Sequence, residues 1–186
     1  MNTANNQLHQ ETERRLRREL LCFLEREQEP TVNQICKAAG INRSTFYRHY
    51  QDIPDLMEQT EKEIQKGLFR AVGGQGDFLA RLETSSDALE PLIAYIGQNR
   101  HFYRIYLRKH GDNALEDGYQ LFWDKKIEPM FLAHNVGSKT RMQYYFAYAK
   151  TGFITVLRMW MESGCKESPQ ELSEILYRML PAAKQT

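Results

Sequence analysis

The apolar residues of this chain recur at steps of three and four, and no stretch alternates apolar and polar residues as a half-buried strand does. Residues 1–10 are polar, and we predict that they are frayed. The first predicted helix occupies residues 11–27 and has its apolar residues on one face, at Leu16, Leu20, Phe23 and Leu24. This periodicity predicts an all-α fold.

Two short helices joined by a tight turn are predicted next. Thr31 followed by Gln34 is a capping-box pattern, because the hydroxyl can accept a free N–H of the first turn while the glutamine reaches back. Gly40 suits the positive φ with which such a helix ends. Asn42 is in position to cap the second helix, which we place at Arg43–His49. This layout is a helix-turn-helix.

A further helix is predicted to start near Asp52 and to run to about residue 72, before the segment Gly73-Gly74-Gln75-Gly76. No predicted strand precedes that segment and no Lys-Ser/Thr pair follows it, so we interpret it as a linker rather than a phosphate loop. The helices predicted beyond it are Phe78–Glu83, Asp87–Asn99, His101–Lys109, Leu115–Phe131, Lys139–Gly164 and Pro169–Leu180. We therefore predict a first domain over residues 1–56, a linking helix, and a helical bundle over residues 77–186.

The composition is that of an ordinary globular protein, with 41% hydrophobic and 26% charged residues. Its net charge of +1 means that any affinity for nucleic acid has to come from a local patch. The helix-turn-helix segment supplies one, since residues 31–50 contain Lys37, Arg43, Arg48 and His49 but no acid. The three cysteines lack metal-ligand spacing, and neither a membrane span nor a signal peptide is visible in the sequence, so we predict a cytoplasmic protein.

The chemistry of the second short helix suits DNA, because in a helix-turn-helix its first residues approach base edges in the major groove. The residues in those positions are Asn42, Arg43, Ser44 and Thr45. The residues further along, which suit phosphate contacts, are Tyr47, Arg48 and His49. The alternative is a helical interaction module that keeps the three helices as a packing unit and does not bind DNA.

The same segment resembles a known family signature. The pattern Thr31-x3-Ile35-x2-Ala38-Ala39-Gly40-Ile41-x3-Thr45-Phe46-Tyr47-Arg48-His49-Tyr50-x5-Leu56 is similar to that of the tetracycline-repressor (TetR) family. The resemblance implies a three-helix DNA-binding domain and a helical C-terminal domain that dimerises through its last two long helices and often holds a small-molecule pocket. It also implies that Thr31, Tyr47 and His49 contact phosphates, while Arg43, Ser44 and Thr45 face the bases.

One position departs from the family pattern. The family usually has a phosphate-contacting lysine where this chain has Ile53, which leaves only the backbone amides at that helix start to face a phosphate.

The end of the chain, Gly152-Phe153-x6-Trp160-x3-Gly164-x4-Pro169-x2-Leu172, also resembles many regulators of this family and places the dimer helices at about 140–164 and 169–181. The predicted interface residues are Phe146, Ala149, Phe153, Val156, Trp160, Leu172, Ile175, Leu176 and Met179. We interpret Trp160 as a core or interface residue rather than a ligand contact.

The middle of the chain is rich in aromatic residues, and helical cavities lined by such residues bind small apolar or aromatic molecules. The predicted effector-binding residues are Phe102, Tyr103, Tyr106, Trp123, Tyr145 and Tyr148. The other interpretation is that this aromatic stripe is simply core and that the regulator has no ligand.

The basic cluster of the first helix also has two interpretations. Arg14, Arg15, Arg17 and Arg18 interleave with glutamates, and the pairs Glu11–Arg15 and Glu13–Arg17 have the spacing of ion pairs on a solvated helix face. Otherwise the cluster is an arm that touches the DNA backbone or minor groove.

No nucleophile motif, carboxylate pair or cofactor signature is visible, and the histidines at 101, 110 and 134 lack ligand spacing. We therefore predict neither an enzyme nor a metal or cofactor site. The predicted function is that of a sequence-specific transcriptional regulator, by default a repressor. It would bind a pseudo-palindromic double-stranded DNA operator as a homodimer and be released by an effector where one exists.

Overall fold

The computed structural model describes residues 3–73, 78–110 and 138–179. Within those ranges the chain contains helices and no strand, which confirms the predicted all-α class. Their α-helices are α1 (Thr3–Glu25), α2 (Val32–Ala39), α3 (Arg43–His49), α4 (Ile53–Gly73), α5 (Phe78–Thr84), α6 (Glu90–Gln98), α7 (Arg100–His110), α8 (Lys139–Glu162) and α9 (Pro169–Met179). A 3-10 turn over Ser86–Ala88 precedes α6. The helix predicted at Leu115–Phe131, with Trp123, lies outside the described residues.

The chain divides into two compact units, Met1–Gly67 and Leu68–Thr186. The division falls within α4, the helix predicted to link the two domains, rather than at its start or in the glycine-rich segment. Among the described helices, none is both long and apolar enough to cross a membrane.

Helix α1 is longer than the sequence pattern predicted. It begins at Thr3, so the prediction that residues 1–10 are frayed is wrong for most of that segment. The additional turns are polar, but His9 in the second turn stacks on the His49 ring at a centroid distance of 4.1 Å. This contact joins α1 to α3, and a search for apolar periodicity within one helix does not detect a contact of that kind.

The first unit is organised around one apolar core. Its buried members are Leu16, Leu20, Ile35, Cys36, Ala39, Phe46, Tyr50 and Leu56. The turn from α2 to α3 is closed by Gly40, whose φ of 67° lies in the left-handed region. There the N–H of Ile41 donates to the Cys36 carbonyl at 3.0 Å, as in a Schellman motif. This turn fixes the direction in which α3 leaves α2.

In the second unit, α9 packs against α6 and the 3-10 turn, and α8 packs against α7. Trp160 is central to this core: its indole Nε1 donates to the Glu167 carbonyl at 2.9 Å, and its ring lies on the backbone of Gly97. A Cβ at position 97 would lie 2.8 Å from Cη2 of Trp160, which is too close for any side chain without a shift. The sequence interpretation left Trp160 between core and interface, and its contacts place it in the core.

Candidate DNA-binding surface

The start of α3 presents an exposed polar surface. Asn42, Arg43 and Ser44 are exposed, and Thr45 is half-buried. Asn42 has an extended backbone (φ −80°, ψ 150°), and its carbonyl accepts the N–H of Thr45 at 3.0 Å. Its side chain makes no capping hydrogen bond, so the expectation that Asn42 caps α3 through its side chain is wrong. The carboxamide is therefore not engaged with the helix end and is available to an external donor or acceptor.

Arg43 lies along the helix towards Tyr47. Its Nη2 is 3.4 Å from the Tyr47 hydroxyl oxygen, and its guanidinium carbon is 5.9 Å from the centre of the phenol ring. Tyr47 is 51% exposed and meets Phe46 edge-to-face at 5.6 Å. A guanidinium held against an aromatic ring retains N–H donors for a bidentate partner. The contact with the ring also limits the orientations of the guanidinium before that partner binds.

A second pair links the two kinds of predicted DNA contact. Nη2 of Arg48 donates to Oγ1 of Thr45 at 3.2 Å. Arg48 is exposed, and as a permanent cation it keeps donors that this bond does not use. Each of the two pairs, Arg43 with Tyr47 and Arg48 with Thr45, therefore joins a predicted base-facing residue to a predicted phosphate-facing residue of α3.

Thr31 caps α2 as predicted. Its Oγ1 accepts the Gln34 N–H at 3.3 Å, and its own N–H donates to Oε1 of Gln34 at 2.9 Å. The hydroxyl also donates to the same Oε1 at 2.8 Å. The residue is exposed, so a phosphate can reach it. To donate to that phosphate, the hydroxyl would have to give up its hydrogen bond to Oε1 of Gln34. The backbone amides of this helix start reinforce such a contact.

The N-terminus of α4 carries negative charge. The N–H of Asp55 donates to Oδ1 of Asp52 at 2.8 Å, and the N–H of Gln51 donates to Oδ2 of Asp55 at 2.7 Å. The Gln51 N–H, and then the side chain of Gln59, hold the pKa of Asp55 below its ordinary value. These carboxylates would repel a phosphate, so they oppose the expected contact between the backbone amides of this helix start and a phosphate, which stays a prediction. Ile53, in the family's lysine position, is half-buried beside the core.

His49 does not share the exposure of its neighbours. Its side chain is only 6% exposed, its ring stacks on His9, and its Nδ1 lies 3.7 Å from Oε1 of Glu13. Burial, and then the neighbouring His9, lower the pKa of His49 against the opposing effect of Glu13. The ring is thus mostly withdrawn from the surface on which the resemblance placed a phosphate contact.

The arginines of α1 pair with glutamates of the same helix. Oε1 of Glu11 is 3.1 Å from Nε of Arg15, and Oε2 of Glu13 is 3.4 Å from Nη2 of Arg17. Nη1 of Arg14 lies 3.5 Å from Glu11, and Nη2 of Arg18 lies 3.0 Å from Glu19. These contacts favour the solvated helix face over the DNA-touching arm, since each guanidinium already has an anionic partner.

The predicted effector residues do not share one environment. Phe102 and Tyr103 are buried in the core of the second unit, where burial raises the pKa of Tyr103. Tyr106 is half-buried, and its ring stacks on that of Phe102 at 5.3 Å. Tyr145 and Tyr148 lie on α8 and are 37% and 70% exposed. The buried residues agree with the core interpretation, and an effector site stays a prediction.

The predicted interface residues also fall into two groups. Trp160, Leu172 and Leu176 are buried within the single chain and have almost no surface left for a partner. Those with accessible surface are Ala149, Phe153, Val156, Ile175 and Met179, while the side chain of Phe146 is outside the described part. One face of α8 is exposed along its length, at Tyr144, Tyr148, Gly152, Thr155 and Met159. We call this face the α8 stripe.

Known structures share this fold. The chain is similar to the solved structure of the dihydroxyacetone kinase operon activator DhaS, with a TM-score of 0.57 and 16% identity, over 92% of this chain and 94% of that one. It is also similar to the fatty acid degradation regulator FadR from Bacillus halodurans, with a TM-score of 0.60 and 13% identity, over 94% and 96% of the two chains. At these identities the likeness concerns the fold alone.

Sequence comparisons point to transcriptional regulators. The uncharacterized HTH-type transcriptional regulator YxbF of Bacillus subtilis (strain 168) is 20% identical over 155 residues. The match covers 81% of this chain but only 39% of the length of that relative. A TetR-type family model, described as a transcriptional regulator C-terminal region, matches residues 83–182, more than half of the chain. The chain belongs to the TetR-type transcriptional regulators.

Proposed function

We propose that this regulator acts as a homodimer that reads a pseudo-palindromic operator with α3. The observation that carries the proposal is the exposed start of α3, where Asn42, Arg43 and Ser44 project from a helix held by a fully buried Phe46. Arginine can donate two hydrogen bonds to guanine, and asparagine can donate one to adenine and accept one from it, so this surface offers two hydrogen-bonding patterns that distinguish bases.

The anchoring contacts in this proposal come from the ends of the motif. Thr31 at the start of α2, together with Tyr47 and Arg48 on the exposed side of α3, would bind phosphates and fix the register. The base-facing Thr45 accepts a hydrogen bond from the phosphate-binding Arg48. We assign His49 to the support of α3 rather than to phosphate binding, because its ring is 6% exposed.

The proposed dimer forms through α8 and α9. Exposed apolar side chains on these helices, such as Met159 at 63% and Met179 at 54%, would leave water when two copies meet. Gly152 and the half-buried Ala149 would let two α8 helices approach closely. A two-fold axis through this contact would direct the two α3 helices into successive major grooves about 34–36 Å apart.

The sign of regulation is a separate part of the proposal. A dimer on an operator would repress transcription by occluding the promoter, whereas DhaS, which shares the fold, is named as an operon activator. An effector would release the dimer only to the extent that it binds one conformation better than the other. We propose the aromatic region of the second unit as the site of this effector.

The test of DNA binding is its dependence on salt. Log affinity should fall linearly with log salt concentration, because binding releases the counterions of the phosphates. Arg48→Ala should reduce the slope by about 1, as expected for one lost phosphate contact. Arg18→Ala is the matched control, since Arg18 is equally basic but paired with Glu19 on α1. Absence of binding at low salt to duplex DNA from the chain's own upstream region would favour the helical interaction module instead.

A further inference from the structure

Three side chains of the first unit converge where α1 meets the end of α3. His9 and Glu13 are four residues apart on α1 and therefore share a face, and the fold brings His49 to them from the last position of α3. Nε2 of His9 is 3.4 Å from Oε1 of Glu13, and Nδ1 of His49 is 3.7 Å from the same oxygen. One candidate ligand atom from each residue lies within 4.8 Å of those of the other two.

One ring nitrogen of this cluster has no hydrogen-bond partner among the described residues. Nδ1 of His49 is buried and has no hydrogen-bond partner among the described residues, and 3.7 Å is too long for a hydrogen bond to Glu13. Buried polar atoms are nearly always paired, so a buried ring nitrogen left unpaired beside a carboxylate is a sign of a missing partner. A cation bound between the two histidines and the glutamate would supply that partner.

We propose that His9, Glu13 and His49 form a binding site for a divalent transition-metal ion, with Zn²⁺ the best match. Two imidazoles and one carboxylate are a ligand set that zinc uses in sites that keep a fourth position for water. With bonds of about 2.0–2.1 Å, neighbouring ligand atoms of a tetrahedral site are about 3.3–3.4 Å apart. The distances of 3.4 and 3.7 Å from the carboxylate oxygen therefore need little adjustment.

Binding requires one rearrangement. The two imidazole rings are stacked with an interplanar angle of 26°, so their nitrogen lone pairs do not yet point at a common centre. The His9 side chain is 54% exposed and has room to turn, whereas His49 is held by its burial. Hard cations such as Mg²⁺ and Ca²⁺ take oxygen ligands and would not select this site.

The carboxylate is oriented for this role by a neighbour. Nη2 of Arg17 is 3.4 Å from Oε2 of Glu13, which leaves Oε1 to face the two histidines. Such outer contacts fix the ligating atom, although the positive charge of Arg17 also opposes a cation.

The ion would tie α1 to the end of the helix that carries Arg43. An effect of the metal on DNA binding therefore rests on the proposed function, while the metal site itself does not.

The direct test is titration of the purified, chelator-treated full chain with Zn²⁺ alone, followed by calorimetry. We expect one Zn²⁺ per chain for the wild type and an affinity at least about tenfold lower for His9→Ala, because losing even an outer-shell partner costs 10–100-fold. Glu13→Gln should weaken binding as well. His101→Ala, which changes an exposed histidine of α7, is the matched control and should bind as the wild type does.

The proposal is overturned if the wild type binds no Zn²⁺ or if His9→Ala and His101→Ala bind it equally. Substitution with Co²⁺ adds a readout of the ligand type, since a cysteine site would give a thiolate charge-transfer band and this site would not. A DNA-binding assay with and without Zn²⁺ separates the two proposals. Absence of DNA binding in both conditions would count against the proposed function, while the calorimetry decides the metal site.

Discussion

The exposed faces of α3 and of α8 differ in chemistry although both belong to helices with a buried apolar side. Around α3 the exposed residues are polar or cationic, such as Arg43 and Arg48, and the aromatic Tyr47 bears a hydroxyl. The α8 stripe contains no charged residue, and its large side chains Tyr144, Tyr148 and Met159 are 71%, 70% and 63% exposed. Scattered apolar exposure is normal, but a row of it along one helix marks a protein contact. The contrast suggests that one face meets a charged polymer and the other a second subunit.

The largest expected effect comes from removing the residue beneath the α3 surface. Phe46→Ala should lower the free energy of unfolding of the first unit by about 3–5 kcal/mol, because Phe46 is fully buried in its core. Tyr47→Ala, at the neighbouring exposed position, should change it by less than about 1 kcal/mol. Urea denaturation of both variants measures this. Equal losses would mean that the exposed face of α3 is itself a packing surface.

The next effect concerns the α8 and α9 contact. Ile175→Glu should convert the proposed dimer to a monomer in sedimentation, because the side chain is 41% exposed in the single chain and a carboxylate there would be buried by a partner. Glu174→Ala, at the next exposed position, is the control and should leave the dimer intact. A dimeric Ile175→Glu variant would move the interface to another part of the chain.

A smaller effect distinguishes two glycines of the second unit. Gly97→Ala should destabilise the chain by about 1–3 kcal/mol, since the added Cβ would meet the Trp160 ring at 2.8 Å. Gly152→Ala meets nothing within 4 Å in the single chain and should be neutral or stabilising by up to about 1 kcal/mol. Thermal unfolding in the Ile175→Glu background compares them without the dimer. A stable Gly97→Ala variant would contradict the contact between α6 and Trp160.

The smallest effect is the pH dependence at the start of α4. The pKa of Asp55 is lowered in the folded chain, so its contribution to stability is present above its unfolded pKa and is lost as the pH falls through its folded pKa. Asp55→Asn should therefore have a lower Tm than the wild type at neutral pH, and the difference should shrink in acid. Gln59→Ala should show a weaker form of the same trend, because the Gln51 N–H is the larger cause. A pH-independent difference would contradict this explanation.

The parts of this fold that local chemistry determines were predictable from sequence. The capped start of α2 and its turn into α3 agree with the prediction, because the capping box at Thr31 and Gly40 are signals within a few residues. The turns of α1 before Glu11 were missed, since their contact with His49 joins two helices. The capping role of Asn42 was wrong for another reason: a residue type that caps well can occupy the cap position without making the bond.

The candidate sites show the same limit. The sequence identified the exposed residues at the start of α3, because the apolar periodicity of that one helix predicts which side is exposed. It did not identify the cluster of His9, Glu13 and His49, although the i,i+4 spacing of the first two on one helix was a usable signal. It also left Trp160 undecided, because its burial depends on the absence of a side chain at Gly97 in a distant helix.

The measurement that tests the central claim most directly is selection of bound sequences from random duplex DNA with the wild type, Arg43→Ala and Tyr47→Ala. The wild type should enrich an inverted repeat. Arg43→Ala should keep the repeat but lose preference at one base pair in each half-site, at a cost of roughly 1–3 kcal/mol. Tyr47→Ala should retain the wild-type preferences with uniformly weaker binding. If no sequence is enriched, or if Arg43→Ala selects the same bases as the wild type, α3 does not read DNA through this surface.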